Sequence, residues 1–136
     1  MKLYHISDRE SLDELIPSIP RNYFTRNGIE DSIRPRICCS IDIDGCLTGI
    51  GYNIEGKEFN VYEIDIDERD IYKPSRPELP DSEWSGELWI FKVVKCQKIA
   101  RIRVTRGIST QDYTYWIDGI EHKGELVRWE WEVIDE

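Results

Sequence analysis

The clearest periodic signal in the chain runs over residues 58–66, Glu-Phe-Asn-Val-Tyr-Glu-Ile-Asp-Ile. Apolar and polar positions alternate there, the two-residue period of a strand with one wet face. Shorter apolar runs predict further strands at 2–6, 36–40, 87–91, 99–104, 113–117 and 126–133, with Asp118-Gly119 as a turn. Helical signals are few. Residues 11–15 fit one or two helical turns before Pro17 and Pro20 force the chain extended. Asp42 or Asp44 caps a short helix through Cys46, Leu47 and Ile50, weakened by Gly45, Gly49 and Gly51. Polar residues 21–35 and the proline-rich stretch 72–85 read as long surface loops, and loops of that length in compact domains are often functional.

No internal repeat or linker divides this pattern, and 136 residues with 40% hydrophobic content suit one core, so a single domain over 1–136 is expected. No apolar run approaches the roughly 18 residues of a membrane span. The start, Met1-Lys2-Leu3-Tyr4-His5, lacks the apolar stretch of a secretory signal, so no membrane association and a cytoplasmic location are expected. The net charge of −9 repels phosphate backbones and disfavours nonspecific nucleic-acid binding. It suits instead a solubilised cytosolic protein, or one that offers an acidic face to a basic protein partner.

Several familiar chemistries lack their residues. The four cysteines, Cys38, Cys39, Cys46 and Cys96, contain no C-x-x-C pair and fit no standard zinc spacing with His5 or His122, so no metal is expected. Asp42-Ile43-Asp44-Gly45 looks like the front of a calcium loop. Aligned on its glycine, however, it has Ser40 first and Gly51 in place of the bidentate glutamate. Neither histidine sits in a hydrolase motif, and no glycine-rich phosphate loop follows a strand.

Three segments remain: Leu3-Tyr4-His5-Ile6-Ser7 on the first strand, Ile37-Cys38-Cys39-Ser40 before a short helix, and Ser85-Gly86-Glu87-Leu88-Trp89-Ile90 opening a late strand. Their order and spacing resemble the ADP-ribosyltransferase superfamily, in its diphtheria-toxin-like and poly-ADP-ribose-polymerase-like branch, over roughly residues 2–104. The resemblance implies an α+β fold with a split antiparallel sheet, short helices and long loops. It implies NAD as substrate, or a related ADP-ribose nucleotide, and transfer of ADP-ribose to a macromolecular acceptor. By the same resemblance Glu87 is the catalytic carboxylate, His5 holds a ribose, and Ser40 ends the second motif. Tyr23, Phe24 or Tyr52 then supplies the stacking face for nicotinamide, and Arg26, Arg34 or Arg36 meets the pyrophosphate.

The chemistry suits these residue types. Cleaving the nicotinamide–ribose bond develops an oxocarbenium-like cation, which a nearby carboxylate stabilises while orienting a ribose hydroxyl. A neutral imidazole fixes a ribose without adding charge. A second Gly-Glu-Leu, at Gly124-Glu125-Leu126, makes Glu125 a competitor for the carboxylate role. The chain also resembles small proteins of bacteria and their phages that act as effectors, toxins or counter-defence factors. The alternative expectation is therefore a noncatalytic inhibitor that sequesters a nucleotide or docks on a basic partner through acids such as Asp65, Asp67, Glu68 and Asp70.

Overall fold

The computed structural model describes residues 1–19, 34–50, 53–75 and 86–135. Eight strands occur among them: β1 (Lys2–Ser7), β2 (Glu14–Leu15), β3 (Ile37–Cys39), β4 (Glu58–Asp65), β5 (Leu88–Ile90), β6 (Val94–Lys95), β7 (Gln97–Ile117) and β8 (Ile120–Asp135). A single α-helix, α1 (Ile43–Ile50), lies between β3 and β4, and a 3-10 turn spans Glu68–Asp70. Four strands form one curled antiparallel sheet in the order β1-β4-β7-β8, while β2 pairs β6 and β3 pairs β5 in two small antiparallel sheets.

This architecture corrects the expected fold class. The described residues are mostly β with one short helix, and do not form the expected α+β split sheet with short helices. The physical reason lies in two places where helical or loop propensity yields to pairing. Residues 11–15 do not turn into helix, because Leu15 is buried against the core through pairing with Val94. The preceding segment is also tied down: Asn60 Nδ2 and Tyr62 Oη both donate to the Arg9 carbonyl, at 3.0 and 2.7 Å. Residues 99–104 and 113–117, expected as separate strands, belong to one continuous strand whose middle is polar. Pairing along β8 holds that polar stretch extended where its own sequence carries little apolar signal.

Two apolar clusters flank the sheet. One gathers Ile6, Cys46, Leu47, Val61, Ile102, Val104 and Trp129, with Tyr4 and Phe59 packed against it; the other gathers Leu3, Leu15, Ile37, Cys39, Ile64 and Ile90. Alternation along β1 sends Leu3 to one cluster and Tyr4 and Ile6 to the other, as the period of a strand requires. Helix α1 covers the Tyr4 side. It starts where Asp42 Oδ1 accepts from the Gly45 amide at 2.6 Å, so the calcium-like string acts as a helix cap. Its neighbour Asp44 accepts from Trp131 Nε1 of β8 at 2.8 Å.

The β7–β8 hairpin turns at Asp118 and Gly119, both at positive φ (50° and 77°), as a tight two-residue hairpin turn requires. Register shifts in the β7–β8 pairing at Arg101/Ile102, Val104/Arg106 and Ser109/Gln111 add local twist. Two glycines admit aromatic rings across this hairpin. Gly107 faces Trp129, and Gly124 faces Tyr113; a methyl group on Gly107 would lie 2.6 Å from Trp129 Cζ3. Among the described residues no helix is long and apolar enough to cross a membrane.

Gly107 is not in the left-handed region, so replacing it tests ring packing alone. Gly107→Ala is expected to push the Trp129 ring out of its place and destabilise the fold by about 1–3 kcal/mol, read by urea denaturation. An unchanged midpoint would show that Trp129 does not depend on that contact.

Candidate functional site

The small β3–β5 sheet is fastened to β1 at one point. Tyr4 and Ser40 exchange main-chain hydrogen bonds, 2.8 Å from the Tyr4 amide and 3.0 Å from the Ser40 amide. Residues paired in this way project to the same face. Across the other edge of β3, Cys38 pairs with Trp89 and Cys39 with Leu88, which brings Glu87 alongside Ser40. Tyr4, Ser40, Glu87 and Trp89 therefore share a face, and α1 packs against its Tyr4 end.

Glu87 is the focus of that face. Its side chain is buried, with the residue only 8% exposed, and Oε2 accepts from Trp89 Nε1 at 2.7 Å. Oε1 lies beside α1 at Gly49, where an added methyl carbon would stand 2.9 Å from it. A helix glycine thus leaves room at the carboxylate that any other residue would fill. The Ser40 hydroxyl reaches the Gly86 carbonyl over a long 3.5 Å. Gly86 adopts φ 65°, a conformation that lets the chain enter β5 beside Ser40.

The neighbouring thiols are not nucleophiles. Burial, reinforced by the charge of Glu87, pushes the Cys39 thiol up to about 12. Burial also drives Cys46 far above its ordinary range, and its Sγ donates to the Tyr4 carbonyl at 3.1 Å. Both remain protonated and inert near neutral pH. No group of three or more metal-ligating side chains occurs among the described residues.

His5 lies elsewhere. Next to Tyr4 on β1, it projects to the opposite side, toward the Leu3 cluster, and its Nδ1 sits 2.6 Å from the Cys38 carbonyl. A carbonyl accepts only, so that nitrogen carries the proton. Burial lowers the imidazole's pKa below its ordinary 6.5, with the bond to Cys38 opposing the shift. The ring thus bridges β1 and β3 just where they part, and does not share a face with Ser40 and Glu87.

The remaining candidates divide sharply. Arg36 is 2% exposed, with its guanidinium carbon 4.2 Å from the Trp89 ring centroid, so it supports the indole that holds Glu87. Arg34 is half-buried over a cluster of three rings, 5.0 Å from Tyr72, 5.4 Å from Trp89 and 4.8 Å from Phe91. Tyr23, Phe24, Arg26 and Tyr52 lie outside the described residues. Glu125 is exposed on the β7–β8 hairpin opposite Asp112, on a different part of the fold from Ser40.

Sequence reasoning missed the aromatic end of this face. Tyr72 read as the start of a loop, yet it pairs with Trp89 through two main-chain bonds of 2.8 Å. Its ring stacks on Trp89 at 5.9 Å and meets Phe91 at 5.4 Å. Arg69, Asp70, Ile71, Tyr72, Phe91 and Lys92 line an open cleft of about 380 Å³. A lone tyrosine before a proline-rich stretch carries no local signal of that pairing. The acids proposed as a docking strip are partly neutralised: Asp65 meets the N-terminus at 3.4 Å, Asp67 meets Arg69 at 3.1 Å, and Asp70 meets Lys92 at 2.7 Å.

No family model, curated protein or solved structure matches the chain.

The depressed His5 pKa makes a pH prediction. Between the folded-state value and 6.5 the unfolded chain binds more protons, so this group's stabilisation is complete above about pH 6.5 and is lost as pH falls from there through the lower folded value. His5→Asn keeps a donor for the Cys38 carbonyl without a titrating ring. Melting curves from pH 7.5 down to about 5 should fall less steeply for the variant. Parallel curves would remove His5 from the account.

Proposed function

We propose that the Ser40–Glu87 face binds NAD, or a related ADP-ribose nucleotide, as a substrate and transfers ADP-ribose to a macromolecular acceptor. The observation that carries this reading is the setting of Glu87: a buried carboxylate with one oxygen held by Trp89 Nε1 at 2.7 Å and the other beside a side-chain-free position at Gly49. Buried carboxylates are costly and concentrate at functional sites. In this role Glu87 stabilises the oxocarbenium character that develops as the nicotinamide bond breaks, and orients a ribose hydroxyl. The Ser40 hydroxyl contacts the same sugar, while His5 braces β3 from the other side.

The dimensions also support a dinucleotide. Glu87 and Phe91 are four residues apart, roughly 13 Å along extended chain, and Glu87 and Trp89 share one face. A ligand with its scissile bond at Glu87 reaches the cleft of Tyr72 and Phe91 with its far ring, and Arg69 and Lys92 at the cleft edge face its phosphates.

Thermal unfolding across an NAD titration tests it. A ligand that binds only the folded state raises the midpoint by mass action. Glu87→Gln is expected to keep the rise yet slow nicotinamide release by about 100-fold or more, because the amide accepts from Trp89 without carrying charge. No rise at millimolar NAD would overturn the reading.

A further inference from the structure

The β7–β8 hairpin leaves the body of the protein. The last β4 partner on β7 is Arg103, and Val104 still bonds Lys57 and Gly56. Trp129 and Trp131 hold the base of the hairpin against the core and α1. From Ile108 to the turn, β7 pairs among the described residues only with β8, so a two-stranded ribbon projects by roughly 30 Å. Such a ribbon is marginal in water without a third strand or a packed face. Its tip also exposes large apolar side chains, Trp116 at 65% and Ile120 at 62%.

One face of the ribbon has a distinct charge. The register sets Asp112 opposite Glu125, then Thr114 opposite Lys123, then Trp116 opposite Glu121. Like charges directly across a pair of strands destabilise it. Neither the Asp112 nor the Glu125 carboxylate forms an ion pair with another described residue. This face thus carries three acids, one lysine and an exposed indole, while the acids at 65, 67 and 70 each have a cation of their own.

We propose that this ribbon face docks on a positively charged segment of a partner protein, with a lysine or arginine seated between Asp112 and Glu125 and an apolar residue against Trp116. Charge selects this occupant. A nucleic acid would set phosphates against Asp112, Glu121 and Glu125. A second copy would bring two acidic faces together in a chain of net charge −9. A cationic extended segment instead relieves the like-charge pair and covers the indole. The proposal is independent of the nucleotide reading, because the ribbon and the Glu87 face share no residue.

The test uses the full chain, isotope-labelled for amide spectra, titrated with a synthetic peptide of four alternating lysine-leucine pairs. Shifts are expected on residues 108–128 of the ribbon. The double substitution Asp112→Asn with Glu125→Gln should weaken binding by about tenfold or more, without lowering the melting temperature. The charge-matched control, Asp65→Asn with Glu68→Gln, should change it by less than about twofold. Equal weakening by both pairs would reduce the effect to net charge and overturn the proposal. So would shifts mapping away from the ribbon, no shifts at millimolar peptide, binding to an oligonucleotide, or concentration-dependent dimers in sedimentation.

Discussion

Two main-chain hydrogen bonds between Tyr4 and Ser40 join the small β3–β5 sheet to the edge of the four-stranded sheet, and the candidate site depends on them. They set which residues of β3 and β5 share a face with Tyr4, and so place Ser40 and Glu87 together beneath α1. Beyond that point β1 and β3 part. The His5 ring spans the gap by bonding the Cys38 carbonyl, and Cys46 of α1 bonds the Tyr4 carbonyl from the other side. The His5 bond gives the Cys38 carbonyl a partner where the strands separate, while Cys46 adds a second donor to a Tyr4 carbonyl that already accepts from the Ser40 amide.

The support then runs in sequence from buried cation to indole to carboxylate. The Arg36 guanidinium lies against Trp89, and the Trp89 N–H fixes one oxygen of Glu87. Trp89 is fully buried, so this arrangement is set by packing and does not wait on a ligand. In the proposed role, a carboxylate oriented in this way would need little reorganisation to meet a developing positive charge. The inert thiols around it, held protonated by burial, add apolar volume without competing chemistry.

The hairpin follows a different logic. Large aromatics are admitted by glycines along it, Trp129 over Gly107 at the base and Tyr113 over Gly124 farther out, so a two-stranded ribbon gains packing that a hairpin alone lacks. Its outer half keeps an opposed pair of acids and an exposed indole, features that lower stability or solubility in the free molecule. The Tyr113–Gly124 packing and the acidic pair are neighbours in register and fall on opposite faces of the same two strands.

Much of the secondary structure was legible in the residues themselves. The alternation at β4, the apolar run at β3, the Asp42 cap of α1 and the Asp118-Gly119 turn are local, because each depends on side-chain period or backbone preference within a few residues. Ser40 and Glu87 were legible as candidates from their order along the chain. What only the tertiary structure decided is which faces meet: that His5 falls on the far side of β1, that Arg36 is buried under Trp89, and that Tyr72 pairs with Trp89. The change from expected α+β to mostly β has the same origin. Pairing between residues far apart in sequence held polar stretches such as 105–112 extended and drew residues 14–15 into a strand, and a register between distant segments leaves no periodic mark in either one.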